Sequence, residues 1–310
     1  MRHVPVLMDE VLASLQLKPN SNVVDCTLGD GGHAEKILAA TAPAGKLLGV
    51  DADPESILRA KQFLHEFGER VIFVRDNFVG LKDIVAREKF GPVHGAFFDL
   101  GWSTPQFEDR RRGFSFLKPA EPLDMRYSQK NSAFSVQRSA VYETAATVVN
   151  NESESELARI FREYGEEKLA GEIARAIVAK RLDYKIDTVG DLVDIVLAVY
   201  RKKLKTNKTV PWVGGRHPAT KVFQALRIAV NDELDALRLV LPQAMEILAP
   251  GGRLAVITFH SLEDRIVKHW FKKYQAELRI ITKKPLTPCE REIKNNPRAA
   301  SAKLRVVEKI

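Results

Sequence analysis

The stretch Val23-Val24-Asp25-Cys26-Thr27-Leu28-Gly29-Asp30-Gly31-Gly32-His33 decides the fold. Its first four residues read as a buried strand, and the glycine turn then leads into a helix over Ala34 to Ala40. Glycine has no side chain, so a turn rich in it lets a ligand approach backbone N–H groups at a helix start. Working outward, Lys46 to Val50 reads as a second strand, followed by Asp51-Ala52-Asp53-Pro54 and a helix over Glu55 to Phe67. Val71 to Val74 is a third strand, and Gly95 to Leu100, holding Asp99, a fourth. Strand and helix alternating in this rhythm predict an α/β fold, a parallel sheet with helices on both faces.

From about Gln106 the rhythm stops. Residues 107 to 150 read as irregular, with clustered arginines and prolines. Leu157, Ile160, Phe161 and Tyr164 then mark one apolar helix face that Gly165 ends, and Ala170 to Lys180 and Asp191 to Tyr200 read as two more helices. Gly214-Gly215 reads as a return linker. Ala219 to Leu248 is apolar-periodic, one or two helices, and Ala249-Pro250-Gly251-Gly252 turns into a strand over Arg253 to Phe259. The expected organisation is a sheet domain of residues 1–106 and 214–310, interrupted by a mostly helical domain at 107–213.

With 310 residues the chain has ample material for a core. Its two cysteines, Cys26 and Cys289, exclude a disulfide scaffold and a multi-cysteine zinc site, and fit a reducing cytoplasm. No metal site is expected. Neither a signal-peptide pattern at Met1 to Leu7 nor a membrane-length apolar run is present, so no membrane partner is expected. The net charge of +8 is unevenly placed. From Arg265 to Ile310, thirteen Lys/Arg stand against four Glu, a local +9 that leaves the rest of the chain at −1. Between Asp194 and Asp232 there are eight Lys/Arg and no acid. Two basic blocks on a near-neutral body point to a polyanion, nucleic acid first, with a solvated basic surface as the alternative.

The glycine turn and Asp51, nineteen residues beyond Gly32 and placed to take ribose hydroxyls, together suit a nucleotide-bearing cofactor. They leave a dinucleotide dehydrogenase and an S-adenosylmethionine-dependent methyltransferase both open. Gly29, Gly31 and Gly32 do not make the dinucleotide spacing G-x-G-x-x-G, and the late Pro250-Gly251-Gly252 turn into a strand is a habit of methyltransferase sheets. These two features favour the methyltransferase.

Longer strings then carry a family signature. They include His3-Val4-Pro5-Val6-Leu7, Gly31-Gly32-His33, Asp99-Leu100-Gly101 with Ser103 and Gln106, and Arg112-Gly113-Phe114-Ser115-Phe116. Pro122-Leu123-Asp124-Met125-Arg126, Tyr164-Gly165-Glu166-Glu167, His217-Pro218-Ala219-Thr220 and Phe223-Gln224-Ala225-Leu226-Arg227-Ile228 continue it. Phe259-His260-Ser261-Leu262-Glu263-Asp264-Arg265 and Asn296-Pro297-Arg298 close it. In these strings the chain resembles, nearly end to end, the bacterial 16S ribosomal RNA (cytosine-N4) methyltransferases of MraW type. The resemblance implies a class I (Rossmann-like) methyltransferase sheet with a helical substrate-recognition insert. It implies S-adenosyl-L-methionine as cofactor and methylation of the N4 amine of a decoding-centre cytidine, with 16S rRNA in the small ribosomal subunit as partner. A homodimer is compatible with it. By position, Gly31, Gly32 and His33 would border the methionine part of the cofactor, Asp51 the ribose and Phe78 the adenine, with Asp99 and Gln106 completing the pocket. Trp102, Thr104 and Tyr127 depart from the family's usual residues, and Trp102 puts the fine shape of the pocket in question.

Cytosine N4 is a poor nucleophile because its lone pair is delocalised, so alignment and an acceptor for the amine are what an enzyme must add. Asp99 either polarises the amine as a catalytic residue or only holds cofactor. Reaching a buried methyl requires the base to leave its stack. Trp102 and Phe114 are candidates to sandwich it, against a core role for Phe114. Arg112, within Arg110-Arg111-Arg112, and Arg126 are candidate RNA contacts. His260 and Glu263 are candidate contacts to the target, against a plain helix start in which Ser261 is the cap. The readings from other classes are an NAD-dependent oxidoreductase and a non-catalytic ribosome-assembly RNA-binding protein.

Overall fold

Alternate residues of each central strand carry apolar side chains to opposite sides, and this builds two cores on one sheet. The computed structural model describes residues 5–100, 111–127, 143–206, 208, 210 and 217–310. Among them, β1 (Val23–Asp25), β2 (Leu47–Asp51), β3 (Val71–Arg75), β4 (Val93–Asp99), β5 (Leu248–Thr258), β6 (Leu278–Ile280) and β7 (Lys303–Lys309) form one sheet, in the order β3-β2-β1-β4-β5-β7-β6. The first five are parallel, while β7 runs antiparallel to both β5 and β6. Val24, Leu48, Phe98 and Val256 face the helices Leu81–Arg87, Glu233–Ile247 and Ser261–Lys273. Their neighbours Val23 and Leu47 face Gly32–Ala40 and Pro54–Phe63, while Phe97 and Ala255 face Met8–Leu15. This is the expected Rossmann-like sheet, covered by helices on both faces.

Local chemistry sets the element ends. Pro54 starts its helix at a position that needs no N–H, and the Asp53 carboxylate caps it by accepting from Glu55 N and Ser56 N. The helix expected to reach Phe67 ends at Phe63 and continues as a 3-10 turn, His65–Arg70, that contains Gly68 at φ 53°. The Pro250-Gly251-Gly252 turn loops out of the ladder: Val93 pairs with Leu248 and Gly95 with Arg253, so residues 249–252 are left over.

Described residues 5–100 and 234–310 make one compact unit, and those between 111 and 233 a second. The return to the sheet unit, expected at 214, therefore comes at 234. The helix Thr220–Asn231 buries Val222, Phe223, Ala225, Leu226 and Ala229 in the same core as the helices Glu154–Glu163 and Ala170–Lys180. Asp232, at φ 48°, then ends it and separates it from Glu233–Ile247. Within the stretch expected to be irregular stands a helix, Ala145–Asn151, which is capped by the Thr144 hydroxyl accepting from Thr147 N and buries Val148 and Val149. Val189–Leu204 opens with a capping box between Thr188 and Asp191.

Gly113 sits at φ +74°, where an added Cβ would lie 2.3 Å from the Pro122 carbonyl oxygen. Gly113→Ala is expected to cost roughly 2–4 kcal/mol of stability, measured by urea unfolding, through left-handed strain and backbone overlap together.

Candidate active site

Three carboxylates end three neighbouring parallel strands: Asp51 on β2, Asp25 on β1 and Asp99 on β4. The chain reverses its winding between β1 and β4, and in open α/β sheets the crevice beyond the strand C-termini at such a point receives ligands. Asp51 is held by two backbone donors at 2.8 Å, Gly29 N on one oxygen and Asp53 N on the other. Burial, reinforced by the negative charge of Asp53 and Asp30, pushes Asp51 up to about 6 against the pull of those two N–H groups. Asp25, 1% exposed, is pushed up to about 7 by burial and by the charges of Asp99 and Asp51, against the hydrogen bond from Thr27 N. Thr27 links two of these acids, because its hydroxyl also accepts the Asp99 N–H at 2.7 Å.

The glycine turn closes the crevice. Gly29 and Gly31 adopt φ 53° and 83°, which glycine takes without the penalty other residues meet. Arg59 anchors the turn by donating from Nε to Asp30 at 2.8 Å. Gly32 has a different reason to lack a side chain: a Cβ there would lie 2.6 Å from the Pro5 ring. His33 follows, buried, its ring tilted on Phe97 with centroids 4.6 Å apart. Its Nε2 lies 3.0 Å from the Val6 carbonyl oxygen, which can only accept, so Nε2 carries the hydrogen. Nδ1 then faces Asp99, 3.8 Å from Oδ2. Phe78, after β3, meets Phe98 edge-on at 5.7 Å, and its turn is capped by Asn77.

Gly31, Gly32, His33, Asp51, Phe78 and Asp99 thus all belong to one unit and gather around the strand ends. Gln106, Trp102 and Arg110 lie outside the described residues. Sequence reasoning did not single out Asp25, whose signal was an acid closing an otherwise apolar strand, and it took Pro5–Leu7 as part of a family string with no role at the turn.

The remaining candidates are occupied structurally. Phe114 is a core residue, 6% exposed, stacked on Tyr127 at 5.9 Å with the rings 6° from parallel, so that ring face is covered. Arg112 donates from one terminal nitrogen to the carbonyls of Arg126 and Tyr127 at 3.0 and 3.1 Å. Arg126 grips Asp124 in bidentate fashion at 2.7 and 2.9 Å, and that hydrogen-bonded pairing raises its pKa. The cap of the helix Ser261–Lys273 is His260, not Ser261: its Nδ1 accepts from Glu263 N at 3.4 Å. The Glu263 carboxylate, 4% exposed, reaches back to Phe259 N at 2.8 Å and His260 N at 3.2 Å, completing a capping box. His260 Nε2 lies 3.1 Å from Glu263 Oε1 but out of line for a hydrogen bond, and is buried without one among the described residues.

The residues fit a nucleoside bearing an amino acid. Asp51 offers a paired acceptor to ribose hydroxyls, the aromatic Phe78 stands at the neighbouring strand end, and His33 with Asp99 supplies acceptors for an ammonium group. With the reversed β7 in the sheet, this site defines a Rossmann-like methyltransferase that uses S-adenosylmethionine. The MraW methylase family model matches residues 1–310, and the chain belongs to that family. It is similar to proteins named ribosomal RNA small subunit methyltransferase H from three organisms. That of Dehalococcoides mccartyi is 44% identical over 99% of this chain and 86% of the relative; that of Heliobacterium mobile is 42% identical over 99% of both. The Dictyoglomus thermophilum protein is 44% identical over 99% and 96%. Among solved structures, an rRNA methylase from Streptococcus thermophilus aligns over 100% of this chain and 99% of its own at 13% identity, with a TM-score of 0.44.

Both raised carboxyls hold a proton in the folded chain where an unfolded chain has released it. Their stability contribution is therefore full below the ordinary value of 3.8 and is lost as pH rises through about 6 for Asp51 and about 7 for Asp25. Cofactor binding is expected to run the other way, since an ionised Asp51 would accept from both hydroxyls of a ribose placed against it. Calorimetric affinity for S-adenosylhomocysteine should rise with pH through about 6 and lose that dependence in Asp51→Asn. His260→Ala should cost about 1 kcal/mol in urea unfolding through the lost cap, and a change below about 0.3 kcal/mol would count against the capping role.

Proposed function

We propose that this methyltransferase transfers a methyl group to the N4 amine of a decoding-centre cytidine of 16S ribosomal RNA, on the small ribosomal subunit, in the cytoplasm. The observation that carries the reading is near-complete alignment, at 42–44% identity, with relatives named for small-subunit ribosomal RNA. Surface charge supports a polyanionic partner. On the helix Ser261–Lys273, Arg265, Lys268, Lys272 and Lys273 are exposed, while both acids turn inward: Glu263 to the cap and Asp264 to Arg305 at 2.6 Å. Arg201, Lys202, Lys203 and Lys205 form a second exposed basic run in the helical unit, which in this reading recognises the substrate.

Bound S-adenosylmethionine supplies a methyl group already activated on sulfonium sulfur, which leaves as a neutral thioether. The chain's own task is to align the amine and receive the proton that N4 loses. Asp99 is the proposed acceptor, at a strand end fixed by Thr27, with a side chain 15% exposed. Gly31, His33 and Asp51 hold the cofactor in the same reading, together with Phe78 and Gln106, while Trp102, His260 and Glu263 border the target base. Phe114, Arg112 and Arg126 then act by shaping the recognition unit.

Mapping of 4-methylcytidine in small-subunit RNA should find the mark when this protein is present and not when it is deleted; an unchanged map would sink the substrate assignment. Asp99→Asn should lower turnover about 10²- to 10⁴-fold. Retained turnover with retained affinity for S-adenosylhomocysteine would remove Asp99 from both the catalytic and the binding role.

A further inference from the structure

The two ends of the sheet unit's chain meet at the cofactor turn. Pro5 fills the space beside Gly32, and the Val6 carbonyl accepts the His33 Nε2 hydrogen at 3.0 Å. Leu7 then takes a left-handed conformation, φ 54° and ψ 36°, which a leucine adopts only where its surroundings over-determine it. Three contacts do so. Its side chain is fully buried, its carbonyl accepts from Val11 N at 2.9 Å, and its N–H is taken by the carboxylate of Glu292, Oε1, at 2.8 Å. Glu292 lies 285 residues away, on the short helix Glu290–Asn295 between β6 and β7.

A hydrogen-bonded path therefore runs from Glu292 to Leu7 N, across that one peptide group to Val6 O, and on to His33 Nε2, with His33 Nδ1 turned to Asp99. Without Glu292 the Leu7 N–H would be a part-buried donor lacking its acceptor, and the left-handed turn would lose the contact that holds it inward. The Val6 carbonyl would shift with it, loosening the hydrogen bond that puts the His33 Nε2 hydrogen on the strap and turns Nδ1 to Asp99. We propose that Glu292 is a positioning residue for the cofactor site, acting through the Pro5–Leu7 strap to orient His33. This rests on the reading that His33 borders bound S-adenosylmethionine.

Calorimetric titration with S-adenosylhomocysteine tests it on the full chain, using wild type, E292A, E292Q, H33A and the double variant H33A/E292A. E292A should bind about tenfold more weakly, and E292Q, whose amide oxygen still accepts, within about twofold of wild type. In methyl transfer, the E292A defect should appear in KM for the cofactor rather than in kcat. The double variant should bind no more weakly than H33A alone, because both substitutions break one path. Wild-type affinity in E292A, or losses in E292A and H33A that add, overturns the proposal. Should E292A fail to fold, E292D decides in its place, its carboxylate one methylene short: weak binding beside a normal E292Q supports the path, and normal binding by both overturns it. A wild-type chain that binds no S-adenosylhomocysteine would overturn the cofactor reading itself.

Discussion

Like charges brought together at low dielectric repel, and this chain ends three adjacent strands in carboxylates. Asp25 has neighbours of the same sign on either side, Asp51 and Asp99, and burial already disfavours its charge. The arrangement holds because backbone donors are aimed at it. Gly29 N and Asp53 N bind Asp51, Thr27 N binds Asp25, and the Thr27 hydroxyl fixes the backbone beside Asp99. The donors from Thr27 and Gly29 exist only if the loop after β1 follows its observed path, in which Gly29 and Gly31 take positive φ. The turn, the acids and the strand order therefore stand or fall together. In the proposed reading, a ligand carrying hydroxyls and an ammonium group would complete the set by supplying further donors and positive charge.

Around that centre, distant parts of the chain are used as supports. The N-terminal strap presses Pro5 onto Gly32, and the segment between β6 and β7 holds the strap through Glu292. The reversed strand β7 brings that segment back to the sheet, and Arg305 on it also holds Asp264 of the helix after β5. That last pairing turns an acid inward and leaves the helix's exposed face basic, which suits a protein whose relatives are named for ribosomal RNA.

Much of the site was legible because it is local. The glycine turn, Asp51 and Asp99 follow from strand ends and turn chemistry within short windows, and the helix Ala170–Lys180 was read with the bounds it has. Less was legible where the folded surroundings choose between two readings of one residue. Phe114 in sequence is an aromatic near arginines; in the folded unit Tyr127 covers its ring. Arg112 and Arg126 resemble free phosphate ligands until backbone carbonyls and Asp124 are seen to occupy them. Ser261 is the commoner cap residue, yet the φ of −140° that a cap needs falls on His260. Ala145–Asn151 is short, with two valines and two asparagines, and helical propensity alone does not announce it; burial of Val148 and Val149 stabilises it.

By itself, then, the sequence determined the class of sheet, the glycine turn and the strand-end positions of Asp51 and Asp99, because hydrophobic period and turn residues act over a few positions. Tertiary structure alone decided where the helical unit ends, which arginines are occupied, why Gly32 is a glycine and which nitrogen of His33 faces Asp99. Most of these depend on a partner many residues away, and the support of the turn through Leu7 and Glu292 does so most of all: no local pattern records a contact whose two halves lie 285 residues apart.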